Sequence, residues 1–153
     1  KFIIVGKGAL EQSMKLKTKE LNLENIIFKG ALDKTKTQEI IKSSDVAYIS
    51  LQNIELHKYG ISCNKIYEYM FFKKPILGYY KCNYDPIKTA KCGLVSEPGN
   101  IKKLYNDLIF LIENKNRAAL MGIKGYEHYL KFYNTKKNAS FLIEKLQNLT
   151  KSD

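Results

Sequence analysis

The sequence predicts an α/β fold: a three-layer, doubly wound parallel sheet of about five strands, with a helical C-terminal tail. Two observations predict it. Short apolar runs alternate with longer amphipathic ones along most of the chain, and beyond Pro98-Gly99-Asn100 only segments with helical spacing remain. Strands alternating with helices imply parallel pairing, right-handed crossovers and helices on both faces.

The strands are expected at Phe2–Val5, Asn25–Phe28, Val46–Leu51, Pro75–Tyr79 and Leu94–Ser96. Their apolar residues are nearly continuous and mostly β-branched or aromatic, the pattern of strands covered on both faces. Helices are expected at Leu10–Leu21, Lys36–Ser43 and Asn64–Phe72, with a short turn near Pro86–Ala90. In the first of these, Leu10, Met14, Leu16 and Leu21 roughly keep helical spacing, which predicts one buried face. Pro98-Gly99-Asn100 stops the last strand and caps a helix carrying Ile101, Leu104, Leu108, Leu111 and Ile112. Two further helices follow, about Arg117–Phe132 and Thr135–Leu149. The last carries Phe141, Leu142, Leu146 and Leu149, which must pack on the α/β layer or on something outside this chain.

At 153 residues, 44% hydrophobic and 27% charged, the chain suits one globular domain (residues 1–153). No apolar run approaches the roughly 18–20 residues that would cross a bilayer. The first residues, Lys1-Phe2-Ile3-Ile4-Val5, lack an initiator Met and already read as a strand, so a piece of a longer protein is expected. The formal net charge of +11 favours anionic partners, but Arg117 is the only arginine. Arginine is the preferred residue for bidentate recognition of bases and phosphates, so its scarcity argues against a nucleic-acid partner. Cys63, Cys82 and Cys92 form no CxxC pair and are odd in number, which fits a reducing, cytoplasmic compartment.

The segment Ser62–Met70 carries the most chemistry. A helix that opens with Ser62, Cys63 and Asn64 presents unpaired N–H groups and the positive end of the helix dipole, a seat for phosphate. Lys65 adds a positive charge in the first turn, and Glu68, one turn on, can accept hydrogen bonds from a sugar's hydroxyls. In open α/β sheets ligands bind beyond the carboxyl ends of the strands. Those ends are Gly6-Lys7-Gly8, Lys29-Gly30-Ala31-Leu32, and the polar loop from Gln52 through Glu55, His57 and Gly60. Their convergence on one helix start suggests a nucleotide-shaped cleft. With His57 and His128 the only histidines and no cysteine pair, a metal site is not expected. There is no Walker A, GxGxxG, Asp-x-Asp or GxSxG pattern.

These residues resemble the C-terminal, donor-binding half of retaining glycosyltransferases of the GT-B fold, family 4, also called glycosyl transferases group 1. Ile4-Val5-Gly6-Lys7-Gly8 is similar to the family's V-G-x-G, Asn25–Gly30 to N-V-x-F-x-G, and Ser44–Tyr48 to its A-D-V strand. The most specific match is Gly60–Ile76, which looks like the subgroup pattern G-x-S-P-N-K-x-x-E-Y-M-A-x-G-K-P. Gly93-Leu94-Val95 and the Pro98-Gly99-Asn100 turn extend the match.

The resemblance implies a Rossmann-like domain in which the base of a nucleoside-diphosphate sugar lies against Lys29–Leu32. The diphosphate would lie on the backbone of Ser62–Lys65, and Glu68 would hold the ribose. Lys65 would stabilise the leaving diphosphate. Many relatives carry an acid eight residues before this Glu; here Gly60 stands there, with Glu55 and His57 as possible substitutes. Cys63 stands where the subgroup usually has proline.

Relatives also have one more strand and helix ahead of the part matched here, and an N-terminal acceptor domain. The isolated chain is therefore expected to be inactive in transfer. Without that strand the sheet order expected is 2-1-3-4-5, with Phe2–Val5 paired directly to Val46–Leu51. The implied partners are a nucleotide sugar, the N-terminal acceptor domain, and a lipid-linked or polysaccharide acceptor near the inner face of a membrane, with no cofactor. Two alternatives stay open: a nucleotide-sugar epimerase on the same scaffold, and a basic anion- or nucleic-acid-binding module.

Overall fold

The computed structural model describes residues 1–150, and the chain divides into two compact units, Lys1–Ser43 and Ser44 onward. In the first unit β1 (Phe2–Val5) and β2 (Ile26–Gly30) pair in parallel. Their register runs from Phe2↔Ile26 to Ile4↔Phe28 and then slips, so that Val5 lies opposite Gly30. The crossover between them is α1 (Glu11–Glu20), and α2 (Lys34–Ser43) leads out of the unit. The start of α2 is set by Asp33, whose Oδ1 accepts the Lys36 N–H at 2.8 Å.

The buried face expected on α1 is not formed: Leu10, Met14, Leu16 and Leu21 are all exposed, and the helix buries no residue. The spacing explains part of this. Met14 and Leu16 are two residues apart, about 200° around the helix, so the four side chains do not share a stripe.

In the second unit β3 (Ala47–Ser50), β4 (Ile76–Tyr79) and β5 (Gly93–Ser96) form a parallel sheet with β4 in the centre. Alternate side chains of these strands enter two cores. On one face Ile49, Ile76 and Val95 pack with Ile66 and Met70 of α3 (Asn64–Phe71) and Ile87 of α4 (Pro86–Ala90). On the other, Leu77 packs with Leu111 of α5 (Ile101–Glu113) and Ala118 of α6 (Lys115–Phe132), flanked by Tyr48 and Leu94. Ile66, Met70 and Ile76 lose all solvent exposure; burying each such side chain stabilises by about 1.5–3 kcal/mol. This unit is therefore a layered α/β structure, as the apolar runs predict.

The expected order is present in two pieces, β2-β1 and β3-β4-β5, but its central joint is not: β1 and β3 belong to separate sheets. β1 is laddered to β2, and both cores of the second unit are built from its own residues.

The tail is helical as expected, ending in α7 (Thr135–Thr150), but Phe141, Leu142, Leu146 and Leu149 are exposed. The preceding helix, α6, packs closely through two glycines. A Cβ on Gly122 would lie 2.0 Å from the Lys73 carbonyl oxygen, and one on Gly125 would lie 2.9 Å from Cys92 Cβ. Gly93 is equally confined, its hypothetical Cβ lying 1.9 Å from the Ile76 carbonyl oxygen.

The Gly122 and Gly93 contacts are with backbone atoms and cannot yield by a rotamer change. Gly122→Ala and Gly93→Ala are each expected to lower the unfolding free energy by about 3 kcal/mol, measured by urea denaturation. Gly8→Ala, whose Cβ would meet nothing within 4 Å, is expected to stay within about 0.5 kcal/mol of the parent. Equal effects at the three positions would contradict the packing described.

Candidate functional site

In the second unit the strand ends Ser50, Tyr79 and Ser96 stand in register, forming one carboxyl-end rim. A crossover helix between parallel strands runs back against them, so the N-terminus of α3 opens at this rim. Within the polar loop after β3, Glu55–Tyr59 forms a 3₁₀ helix, closed by the Gly60 N–H donating to the His57 carbonyl at 3.2 Å. Gly60 has φ +120°, a conformation that L residues rarely adopt. Any side chain at this position would strain the turn.

Cys63 is the N-cap of α3, yet its side chain makes no capping hydrogen bond. Its carbonyl accepts the Ile66 N–H at 3.0 Å. The amides that open the helix are thus left without a side-chain acceptor, and Ser62, Asn64 and Lys65 beside them are exposed. Buried Ile66 and Met70 fix the opposite side of the helix in the core, and Glu68 is half-buried on the turn after Lys65. Ser62, Cys63, Asn64, Lys65 and Glu68 are therefore brought together on one helix start. Glu55 is not gathered with them: its side chain is 94% exposed and pairs with Lys58 at 3.9 Å. His57 is half-buried, and its Nδ1 is enclosed without a hydrogen-bond partner.

The first unit holds its own group of expected residues. The Gly6 N–H donates to the Gly30 carbonyl at 2.7 Å, joining the ends of β1 and β2. Gly6 and Gly30 have φ +130° and +66°, and no atom lies within 4 Å of a Cβ built on either, so backbone conformation rather than crowding calls for glycine. Gly8 is exposed, as is Lys29, while Leu32 is half-buried.

Other features of the rim went unnoticed in the sequence. Asp85 is buried and its Oδ1 accepts from the Tyr80 hydroxyl at 2.8 Å, the Ile87 N–H at 2.9 Å and the Lys88 N–H at 3.2 Å. The Asp85-Pro86 pair, an N-cap acid followed by an N1 proline, was the signal for it. At the end of β5, Ser96 Oγ donates to Asp107 Oδ2 at 2.8 Å and Lys103 Nζ donates to the Val95 carbonyl and to Asp107. Tyr79 Oη accepts the Gly99 N–H at 2.9 Å, tying the β5–α5 turn to β4. A cleft of about 560 Å³ opens beside the start of α3, with Tyr59, Gly60, Ser62, Asn83 and Tyr84 in its wall. Among the described residues no group of three or more His, Cys, Asp or Glu is placed to hold a metal ion. No helix among them is long and apolar enough to cross a membrane.

The chain belongs to the family Glycosyl transferases group 1, whose family model matches residues 1–128. Its fold is also that of larger solved proteins. TarM is 24% identical with a TM-score of 0.72, over 97% of this chain and 28% of TarM. Sucrose-phosphate synthase from Thermosynechococcus elongatus is 15% identical with a TM-score of 0.76, over 99% of this chain and 39% of that one. Anabaena HepE, solved in complex with UDP-glucose, is 17% identical with a TM-score of 0.72, over 95% and 40%. At these identities the likeness is one of fold, and the chain spans well under half the length of each. No curated protein matches the chain.

Burial pushes the Cys92 thiol up to about 12, and burial together with the Asp85 carboxylate pushes the Tyr80 hydroxyl well above its ordinary range. Both groups are neutral in the folded chain at pH values where the unfolded chain ionises. The Cys92 contribution is complete below the unfolded thiol value of 9.0 and is lost as pH rises towards 12, and that of Tyr80 begins to fall only above its unfolded value of 10.0. Urea unfolding is expected to show stability falling steadily across that range; a flat profile would contradict the burial of these groups.

Proposed function

We propose that this chain is the donor-binding part of a glycosyltransferase that moves a sugar from a nucleoside-diphosphate sugar to a hydroxyl acceptor, with retention of configuration. One observation carries the reading: the uncapped start of α3, with Lys65 in its first turn and Glu68 one turn later, at the carboxyl-end rim of the sheet. The open amides and the helix dipole favour a diphosphate, and Lys65 offers a compact charge to its oxygens. Glu68 is spaced to accept hydrogen bonds from the ribose. By resemblance to the family, the turn Lys29–Leu32 is assigned to the base, and Gly6 and Gly8 to the nucleotide sugar. Family membership supports the reaction class, and the UDP-glucose held by HepE supports the donor class.

Chemically, departure of the sugar leaves negative charge on the diphosphate. Fixed N–H donors and Lys65 would stabilise that charge as it develops, and each well-placed donor lowers the barrier by about 3–4 kcal/mol. No protein group need accept a proton at the leaving diphosphate, and no metal is required by this arrangement. The acceptor would be provided by a further domain of the whole protein, so the isolated chain would bind donor without transferring it. A role in surface polysaccharide or glycoconjugate synthesis, at the cytoplasmic side of a membrane, completes the proposal.

In the whole enzyme, Lys65→Ala is expected to lower kcat by about 10²-fold with little change in donor KM. Glu68→Ala is expected chiefly to raise donor KM. An unchanged kcat in the Lys65 variant, measured at saturating donor, would contradict the role given to Lys65.

A further inference from the structure

Two segments wall the cleft beside α3: the turn Gly60–Ser62, and the loop after β4 with Asn83 and Tyr84. Lys81, Asn83 and Tyr84 are exposed and Cys82 is half-buried, so apolar packing does little to hold that loop. Lys81 pairs with Glu97 at 3.7 Å, but both side chains are exposed and such a pair contributes little. The stronger tie is one buried carboxylate oxygen. Asp85 Oδ1 accepts from the Tyr80 hydroxyl ahead of the loop and from the Ile87 and Lys88 N–H groups behind it. Both ends of the loop therefore meet at a single atom. Tyr80 is itself fixed: its side chain loses all exposure, and its N–H donates to the Ser96 carbonyl at 3.1 Å. A Cβ on Gly78 would lie 2.9 Å from Tyr80 Cε1, so glycine there makes room for the ring. The far end of the loop touches the other wall. A Cβ on Gly60 would lie 3.5 Å from Tyr84 Cβ and 4.0 Å from the Tyr84 carbonyl oxygen.

We propose that Asp85 is a positioning residue for the anion seat. Through Tyr80 it sets the place of Tyr84, and through Tyr84 the place of the Gly60 turn that leads into α3. The inference rests on the diphosphate reading and adds to it a residue that does not line the cleft. Capping of α4 alone does not call for this arrangement. Asn or Ser caps a helix start about as well as Asp, without a charge. Asp85 is instead a buried carboxylate whose Oδ2 has no hydrogen-bond partner among the described residues, with Lys88 Nζ 4.0 Å away. Burying such a group is costly unless its hydrogen bonds offset the desolvation. The bond that a cap does not need is the one from Tyr80, and a charged acceptor makes it about twice as strong as a neutral one.

The test is UDP titration and amide hydrogen exchange, both read by NMR, on the 153-residue chain and three variants. Tyr80→Phe keeps the ring in the core and the Asp85 cap on α4 but removes the hydroxyl. Asp85→Asn keeps an acceptor and removes the charge. Leu111→Val trims the core on the other face of the sheet and controls for lost stability. Tyr80→Phe is expected to raise the UDP Kd about tenfold. It is also expected to speed exchange of the Gly60 amide, which donates to His57, by about the same factor. Asp85→Asn is expected to change both by about threefold, and Leu111→Val to leave both within about twofold of the parent. No change in Tyr80→Phe, an equal change in Leu111→Val, or an Asp85→Asn effect as large as that of Tyr80→Phe would overturn the proposal. A parent chain that binds no UDP would reject the diphosphate reading, and the Gly60 exchange rates would then decide the role of Asp85 by themselves.

Discussion

The site depends on how α3 is pinned. Ile66 and Met70 are buried against Ile76 and Tyr80, and α6 presses on the same helix and its exit turn through Gly122 and Gly125. With one side of an eight-residue helix locked into the sheet, its opening turn has a single direction to face. Direction matters because a helix start attracts an anion only where its amides point, and the effect fades within a turn. Cys63 leaves those amides uncapped, a local loss of about 1 kcal/mol relative to a good capping residue. The core beneath offsets that loss, so a ligand can complete the helix in place of a side chain.

The rim around this helix is held by polar ties rather than by apolar packing. Tyr79 bonds the β5–α5 turn, Lys103 and Asp107 secure Ser96, and Asp85 anchors the loop after β4 while accepting the Tyr80 hydroxyl. Each tie joins a strand end to the loop or helix beyond it. Loops fixed at the carboxyl edge of a parallel sheet keep their backbone groups available to a ligand without closing over the edge.

Much of this was legible in the sequence because it rests on local rules. Continuous apolar runs gave the strands, and Asn100 capping Lys103 gave the start of α5. The Ser62–Glu68 spacing placed its residues together through helix geometry alone. What was not legible depends on partners distant in sequence. Leu10, Met14, Leu16 and Leu21 suggest a buried face by their spacing, yet all four are exposed. The pairing of β1 with β3 was an inference about a sheet's centre, which strand character cannot decide. The 3₁₀ helix at Glu55–Tyr59 has no apolar period to reveal it, and it turns Glu55 to solvent.

The central claim is that the first-turn amides of α3 receive a diphosphate. Backbone ¹H–¹⁵N NMR of the chain, titrated with UDP and GDP, tests it most directly. The account predicts that the largest shifts fall on the amides of Ser62, Cys63, Asn64 and Lys65, and that uridine or guanosine without phosphate leaves those four signals in place. Saturable nucleotide binding with these four amides unmoved would contradict it.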